Sequence, residues 1–201
     1  MILRWLRAHR LFLAAVSENY CSLPAFIAKN WNHLPDNPEL SVDLGCGTIP
    51  WNPYLLNKCI GIDVSPRPGV IALNLSREPL PFPSSSVSVV TAHHFFEHVP
   101  RMREDSDGSQ SYPFVNLMNE CSRVLVPNGL LLSVTPAFPY SAAFSDPTHI
   151  NVVTEKTMRY YFAGPNPMAA QYGYTGKFKF VDQAWDGEAL LTILQAVGQD
   201  H

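Results

Sequence analysis

Short apolar runs recur along this chain, most of them closed by a polar residue and a turn signal. Leu40–Leu44, Ile60–Val64, Val70–Leu73, Val87–Ala92 and Leu130–Thr135 have the length and the β-branched content of strands. The Val87–Ala92 run is close to continuously apolar, as a strand buried on both faces requires. A different rhythm occupies Pro113–Leu125. There Phe114, Leu117, Met118, Cys121 and Leu125 fall on one stripe at helical spacing, with proline in the first turn. Pro127-Asn128-Gly129 stops that helix and turns the chain into the fifth strand.

The flanks are less regular. Residues 1–34 read as helical with an interruption near Pro24, and Pro35–Pro38 turns into the first strand. Residues 101–112 read as a polar, mobile loop, and 136–153 as a second loop. Thr154 is placed to cap a short helix over Glu155–Phe162. Lys177–Trp185 reads as a late strand and Glu188–Val197 as a terminal helix.

The connections narrow the architecture. Residues 48–58 leave room for a turn or two of helix, and 65–69 leave room for none, although a parallel crossover ordinarily takes a dozen residues. The expectation is therefore an α/β fold: a Rossmann-like, doubly wound, mostly parallel sheet with shortened crossovers, in a single domain. Residues 1–39 form an N-terminal helical segment and 40–201 the main domain.

Composition agrees with a folded chain. The 201 residues are 46% hydrophobic and 15% charged, which excludes a disordered polymer. Eighteen prolines, clustered between the apolar runs, imply stiff loops. A formal net charge of −3 gives no strong nucleic-acid signal. The four cysteines lack metal-type spacing and read as free thiols in a reducing compartment. No segment is long enough to span a bilayer, and residues 11–16 are too short for a signal-peptide core, so a cytoplasmic location is expected. An amphipathic helix over residues 2–16 is expected to pack on the domain in preference to a membrane surface.

Candidate chemistry begins where the first strand ends. Asp43-Leu44-Gly45-Cys46-Gly47-Thr48 places an acid and two glycines where open α/β sheets bind ligands. Asp63 closes the second strand, and 63 − 43 = 20 is the spacing at which an acid holds a ribose in dinucleotide folds. Pro50 stands where a dinucleotide pattern wants a third glycine.

Further motifs follow in order. They are Gly61-Ile62-Asp63-Val64, Leu80-Pro81-Phe82-Pro83, Phe96-Glu97-His98-Val99, Glu120-Cys121-Ser122-Arg123-Val124-Leu125-Val126-Pro127-Asn128-Gly129 and Asp146-Pro147-Thr148-His149. With the glycine turn, this ordered set over roughly residues 40–162 resembles the class I S-adenosylmethionine-dependent methyltransferases, in their type 11-like branch. The departures are Thr48-Ile49-Pro50 after the turn, Asn74 where many members carry aspartate, and Asn128-Gly129 in place of two glycines.

The resemblance implies a cofactor, S-adenosyl-L-methionine, and a site. Gly45 and Gly47 would let backbone pass close to its amino-acid end, and Asp43 would orient that turn or meet the ammonium. Asp63 would accept from the ribose hydroxyls and Val64 would pack on the adenine. Asn74 and Leu75 would lie along the base, with His93 beside the methionine portion. His149 is favoured as the base or substrate ligand with Asp146 as its partner. His98 is weighed evenly between a substrate contact and a structural role in a network that Glu97 fixes. The aromatics Phe138, Tyr140, Phe144, Tyr160, Tyr161 and Phe162 are mostly packing, a subset lining an acceptor pocket. A metal held by His93, His94, His98 and His149 is set aside, because the sequence places no further ligands.

The function expected is methyl transfer to a small-molecule or glycan-type acceptor, with the oligomeric state left open. Two other classes compete: a non-catalytic binding protein that keeps the fold, and a nicotinamide-dependent oxidoreductase. The missing third glycine speaks against the latter.

Overall fold

The computed structural model describes residues 19–198. The amphipathic helix expected over residues 2–16 lies outside the described residues. The centre is a seven-stranded sheet ordered β3-β2-β1-β4-β7-β9-β8. Its strands are β1 (Leu40–Leu44), β2 (Lys58–Asp63), β3 (Val70–Ala72), β4 (Val87–His93), β7 (Leu125–Pro136), β8 (Phe178–Asp186) and β9 (Ala189–Ala196). The pairs β1–β2, β1–β4, β2–β3 and β4–β7 are parallel, while β9 runs antiparallel between β7 and β8. From β1 the chain moves outward through β2 to β3, then returns to the other side of β1 as β4. The order therefore reverses between β1 and β4, the place where such sheets open a crevice at their carboxyl edge.

Two hydrophobic layers hold the sheet. On one face Val42, Leu44, Val90, Ala92 and Leu131 meet α2 (Pro113–Val124) through Phe114, Leu117, Met118 and Cys121. This is the stripe that the helical spacing predicts. On the other face Val89, Leu130, Leu132, Leu191 and Ile193 are covered by Phe26 of α1 (Leu23–Lys29) and by Tyr54 and Leu56 of the β1–β2 connection. That connection contains no helix, and neither does 64–69 between β2 and β3. Side chains of an irregular loop thus do the covering that a crossover helix does elsewhere. Asn52 braces the loop, its Oδ1 accepting from Leu56 N at 3.1 Å and its Nδ2 donating to Leu56 O at 2.9 Å.

Several expectations are corrected. Pro24 sits in the first turn of α1, where its missing N–H has no intrahelical partner to lose. A 3-10 turn, Trp31–His33, ends the helical stretch. Residues 101–112 are not simply loop. Arg103–Glu104 (β5) and Gln110–Ser111 (β6) pair antiparallel around Asp107-Gly108, with Gly108 at φ 80°. Pro127–Gly129 does not precede the fifth strand. The ladder already begins at Leu125, opposite Val87, and the three residues bulge out before Leu130 pairs with Val89. Asn128 takes φ 64° there, and a Cβ on Gly129 would lie 2.9 Å from Val126 O. Within 136–153, α3 (Ala142–Ser145) forms a single turn. Residues 157–162 wind as a π-helical turn, Lys156 N donating to Thr154 Oγ1 at 3.3 Å just before it.

The largest correction is residues 188–197. Ala189–Ala196 of that span form β9, not a helix, joined to β8 by a tight turn with Gly187 at φ 60°. Leu190, Leu191, Ile193 and Leu194 are all buried because both faces of the sheet are covered at that strand. An apolar run of this kind has the same composition in a buried strand as in a buried helix. The two-residue loop Gly187-Glu188, with glycine first, was the hairpin signal.

One polar cluster locks α2 to the loop before β4. Arg123 grips Glu120 with Nε to Oε1 at 2.8 Å and Nη2 to Oε2 at 2.7 Å, and donates to Phe82 O and Leu80 O. Leu80 N donates to Glu120 Oε2 at 2.8 Å. Replacing Arg123 with Met leaves two carbonyls and a carboxylate short of donors. It should destabilise the protein by about 2 kcal/mol in a urea unfolding series.

Candidate active site

The parallel register sets the site. Asp43 lies opposite Gly61 on β2 and Thr91 on β4, Asp63 opposite Ala72, and His93 opposite Val134. The ends of β1, β2 and β4 therefore lie along one edge, bringing together the glycine turn, Asp63 and His93.

Asp43 is turned into the sheet and is 2% exposed. Its Oδ1 accepts from Thr91 Oγ1 at 2.7 Å and its Oδ2 from Trp51 N at 2.8 Å. Burial nevertheless raises its pKa from 3.8 to about 6, outweighing the two hydrogen bonds that pull it down. Burial, with the nearby Asp43 and Asp63 charges, also pushes Cys46 up to about 11, so its thiol is protonated and not a nucleophile at neutral pH.

The turn itself is stitched to β2. Gly47 N donates to Asp63 Oδ2 at 3.0 Å, Ser65 N to Asp63 Oδ1 at 2.9 Å, and Cys46 N to Ile62 O at 3.0 Å. Gly45 and Gly47 take φ of 65° and 60°, a region that other residues rarely occupy. Their surroundings differ. A Cβ on Gly45 would lie 2.2 Å from the Phe95 ring, whereas one on Gly47 would meet nothing within 4 Å.

Val64 is 67% exposed beside Asp63. Leu75 is instead buried in the main core. Asn74 closes an Asx turn, its Oδ1 accepting from Ser76 N at 3.1 Å while its own N–H is taken by Glu78. His93 stacks on Trp51 at 4.8 Å and on His94 at 4.6 Å, and burial holds its pKa below the ordinary imidazole value.

A second cluster follows β4 and β7. His98, on a 3-10 turn (Phe96–His98), lies 4.9 Å ring to ring from His149. Asp146 Oδ1 accepts from Thr148 Oγ1 at 2.7 Å and from Thr148 N at 2.8 Å, and both hydrogen bonds lower its pKa. Asp146 Oδ2 stands 3.9 Å from His149 Nε2. Asn151 fastens the two segments, its Nδ2 donating to Phe96 O at 2.9 Å and its N to Glu97 O at 2.9 Å. Arg101 fastens the loop further through Asn151 Oδ1 and Val152 O. His98, His149 and Asp146, named from separate motifs, thus come together, and His93 belongs with the glycine turn.

Three participants were not singled out from the sequence. Thr91 was readable as the polar residue inside the β4 run. Trp51 and Phe95 gave no local signal, because both act through tertiary contact. Of the aromatics after the fifth strand, Tyr161 and Phe162 line a cavity of about 410 Å³ with Tyr112, Phe114 and Tyr172. Phe138 and Phe144 stack on each other at 6.5 Å and are more than half exposed. Four cavities among the described residues, that of about 410 Å³ included, are lined by neither Gly47 nor Asp63.

These features define a Rossmann-like α/β domain whose strand order reverses between β1 and β4. Residues 42–133 match the family model described as a methyltransferase domain. The matched stretch and the sheet order are consistent with the class I S-adenosylmethionine-dependent methyltransferases. Solved structures share its fold at low identity. A methyltransferase of this kind from Archaeoglobus fulgidus is 14% identical, with 86% of this chain and 92% of that one covered and a TM-score of 0.55. One from Clostridium acetobutylicum is 10% identical, with 96% and 99% covered and a TM-score of 0.55. A complex of the Trm112 methyltransferase activator with a methyltransferase from Haloferax volcanii is 14% identical, with 86% and 92% covered and a TM-score of 0.53. No curated protein matches the chain.

The residues at this edge have the chemistry to meet S-adenosyl-L-methionine, the cofactor that the resemblance implies. Gly47 presents bare backbone to the groove, Asp63 keeps lone pairs beyond the two it has committed, and Val64 offers apolar surface. Over Gly45, Phe95 already fills the space that a ligand would take.

The buried Asp43 has a pH signature. Its proton is held more tightly in the folded than in the unfolded chain, so stability falls as pH rises from about 4 to about 6. In denaturant series across that window, Asp43→Asn should flatten this slope whatever its effect on absolute stability.

Proposed function

We propose that this protein transfers a methyl group from S-adenosyl-L-methionine to a small-molecule or glycan-type acceptor. The alignment of Gly47, Asp63 and His93 at one sheet edge carries the reading, with Asp63 accepting from Gly47 N at 3.0 Å. When bound, the cofactor supplies a methyl on a positively charged sulfur. Asp63 receives the ribose hydroxyls on its remaining lone pairs and Val64 covers the adenine. Gly45 and Gly47 pass along the amino-acid end, with Phe95 swung off Gly45. Asp43 holds the turn in shape from behind through Trp51 N. Asn74 flanks the base edge, and Leu75 supports it from the core. His93 borders the methionine portion.

The acceptor is received by the other cluster. His149 Nδ1 is 3.0 Å from Ala142 O, which fixes the proton there and leaves Nε2 free to take a proton or bind the substrate. His98 stands beside it and Asp146 supports both. Phe138 and Phe144, on the segment that carries Ala142, give an exposed apolar platform of the kind on which a sugar ring stacks. Catalysis then rests chiefly on holding the acceptor in line with the methyl. A cytoplasmic location accords with four unpaired thiols. Among the described residues no helix is long and apolar enough to cross a membrane.

Calorimetric titration with S-adenosylmethionine, S-adenosylhomocysteine and NAD tests the first half. The two methionine cofactors should bind and NAD should not; binding of NAD alone would overturn the proposal. Asp63→Ala should abolish measurable S-adenosylhomocysteine binding while the circular dichroism stays native, and unchanged affinity would remove Asp63 from the site. On the first acceptor found in a labelled-methyl screen, His149→Ala should lower kcat by about 10²-fold and leave cofactor affinity within about threefold. Normal turnover would take His149 out of the site.

A further inference from the structure

Glu97 is the anomaly in this structure. Its side chain is 1% exposed, yet neither carboxylate oxygen makes a hydrogen bond. His94 Nδ1 lies 3.5 Å from Oε1. A carboxylate taken out of water without partners is costly, and such groups are normally paired or bound to a metal.

What surrounds it is a set of metal ligands. One ligand atom each from Glu97, His98 and His149 lies within 4.8 Å of the other two. The histidines are already oriented. His149 Nδ1 faces Ala142 O at 3.0 Å, a pure acceptor, so Nδ1 carries the proton and Nε2 keeps its lone pair. His98 Nδ1 faces Thr148 O at 3.2 Å and Thr148 Oγ1 at 3.0 Å. The Thr148 hydroxyl gives its own proton to Asp146 Oδ1 at 2.7 Å, so it too acts as an acceptor toward His98. In the neutral ring His98 Nε2 therefore also keeps its lone pair. Histidines that hold metals are fixed in this way, by donating the second ring N–H to a carbonyl or an acid-backed group. Asn151, bonded to Phe96 O and Glu97 O, brings the His149 loop onto the Glu97 turn.

We propose that Glu97, His98 and His149 bind one divalent transition-metal ion of the zinc class through a carboxylate oxygen and two imidazole Nε2 atoms. Two imidazoles and one carboxylate suit such an ion and not magnesium or calcium, which take oxygen ligands. A tetrahedral ion with bonds of about 2.0–2.1 Å spaces its donors by roughly 3.4 Å, so modest rotation of the side chains closes the triangle. Three protein ligands leave at least one position for an oxygen of the acceptor, as in catalytic rather than structural sites. The binding of the ion stands by itself; its assignment to the acceptor rests on the methyl-transfer reading.

The test uses the full chain without an affinity tag, stripped with a chelator and titrated with Co²⁺ as a spectroscopic probe, then with Zn²⁺ in competition. One equivalent of Co²⁺ should bind with visible ligand-field bands, and Zn²⁺ should displace it. Glu97→Gln, His98→Ala and His149→Ala should each weaken binding at least about 30-fold, and His33→Ala should leave it unchanged. Should Glu97→Gln fail to fold, the two partly exposed histidines decide alone. No saturable binding, or wild-type affinity in His149→Ala, overturns the site. A parallel titration with S-adenosylhomocysteine keeps the two ideas apart. Cobalt binding without it sinks the methyl-transfer reading only, and its binding without cobalt sinks the metal site only.

Discussion

A buried carboxylate in the middle of a parallel sheet organises the working end of this protein. Asp43 draws its two hydrogen bonds from different elements, Thr91 of β4 and the Trp51 amide of the β1–β2 connection. Those are the strands on either side of the switch point and the loop that replaces a helix. An ordinary surface loop of this length would be held by little. Here one end is tied to a group that cannot reach water, and breaking the tie would leave that group unpaired. The apolar Tyr54 and Leu56 then close the same face of the sheet. The clipped crossover is therefore compatible with a firmly held end of β1.

Asp63 acts at the same turn from the other side. Its two oxygens hold Gly47 N and Ser65 N, so the acid expected to meet a ribose also sets the shape of the glycine turn. The two roles are compatible because a carboxylate has more lone pairs than these bonds use. The second cluster is built differently. His98 and His149 belong to loops fifty residues apart that Asn151 and Arg101 fasten together. Its polar groups form a chain from Asp146 through Thr148 to His98, and Glu97 stands at the end of the turn with no donor of its own.

Much of the fold was legible because its signals are local. The turn glycines at positive φ, the acid closing β2, the apolar stripe of α2 and the short parallel strands each depend on near neighbours in sequence. Residues 188–197 were not legible in this way. Leu190 to Leu194 would be buried in either conformation, and only pairing with β7 and β8 selects the strand. The bulge at Pro127–Gly129 has the same origin, since a local turn and a bulge in a ladder use the same residues.

The sequence alone determined the family resemblance and most of the core strands, because these follow from residue type at fixed spacing. Tertiary structure decided which groups meet and which remain unpaired. It put Asp43 inward and Val64 outward, laid Phe95 over Gly45, sent Leu75 into the core and set Glu97 against two histidines. Burial and partnership are properties of the packed chain, and they, more than residue type, govern protonation, ligand access and metal affinity.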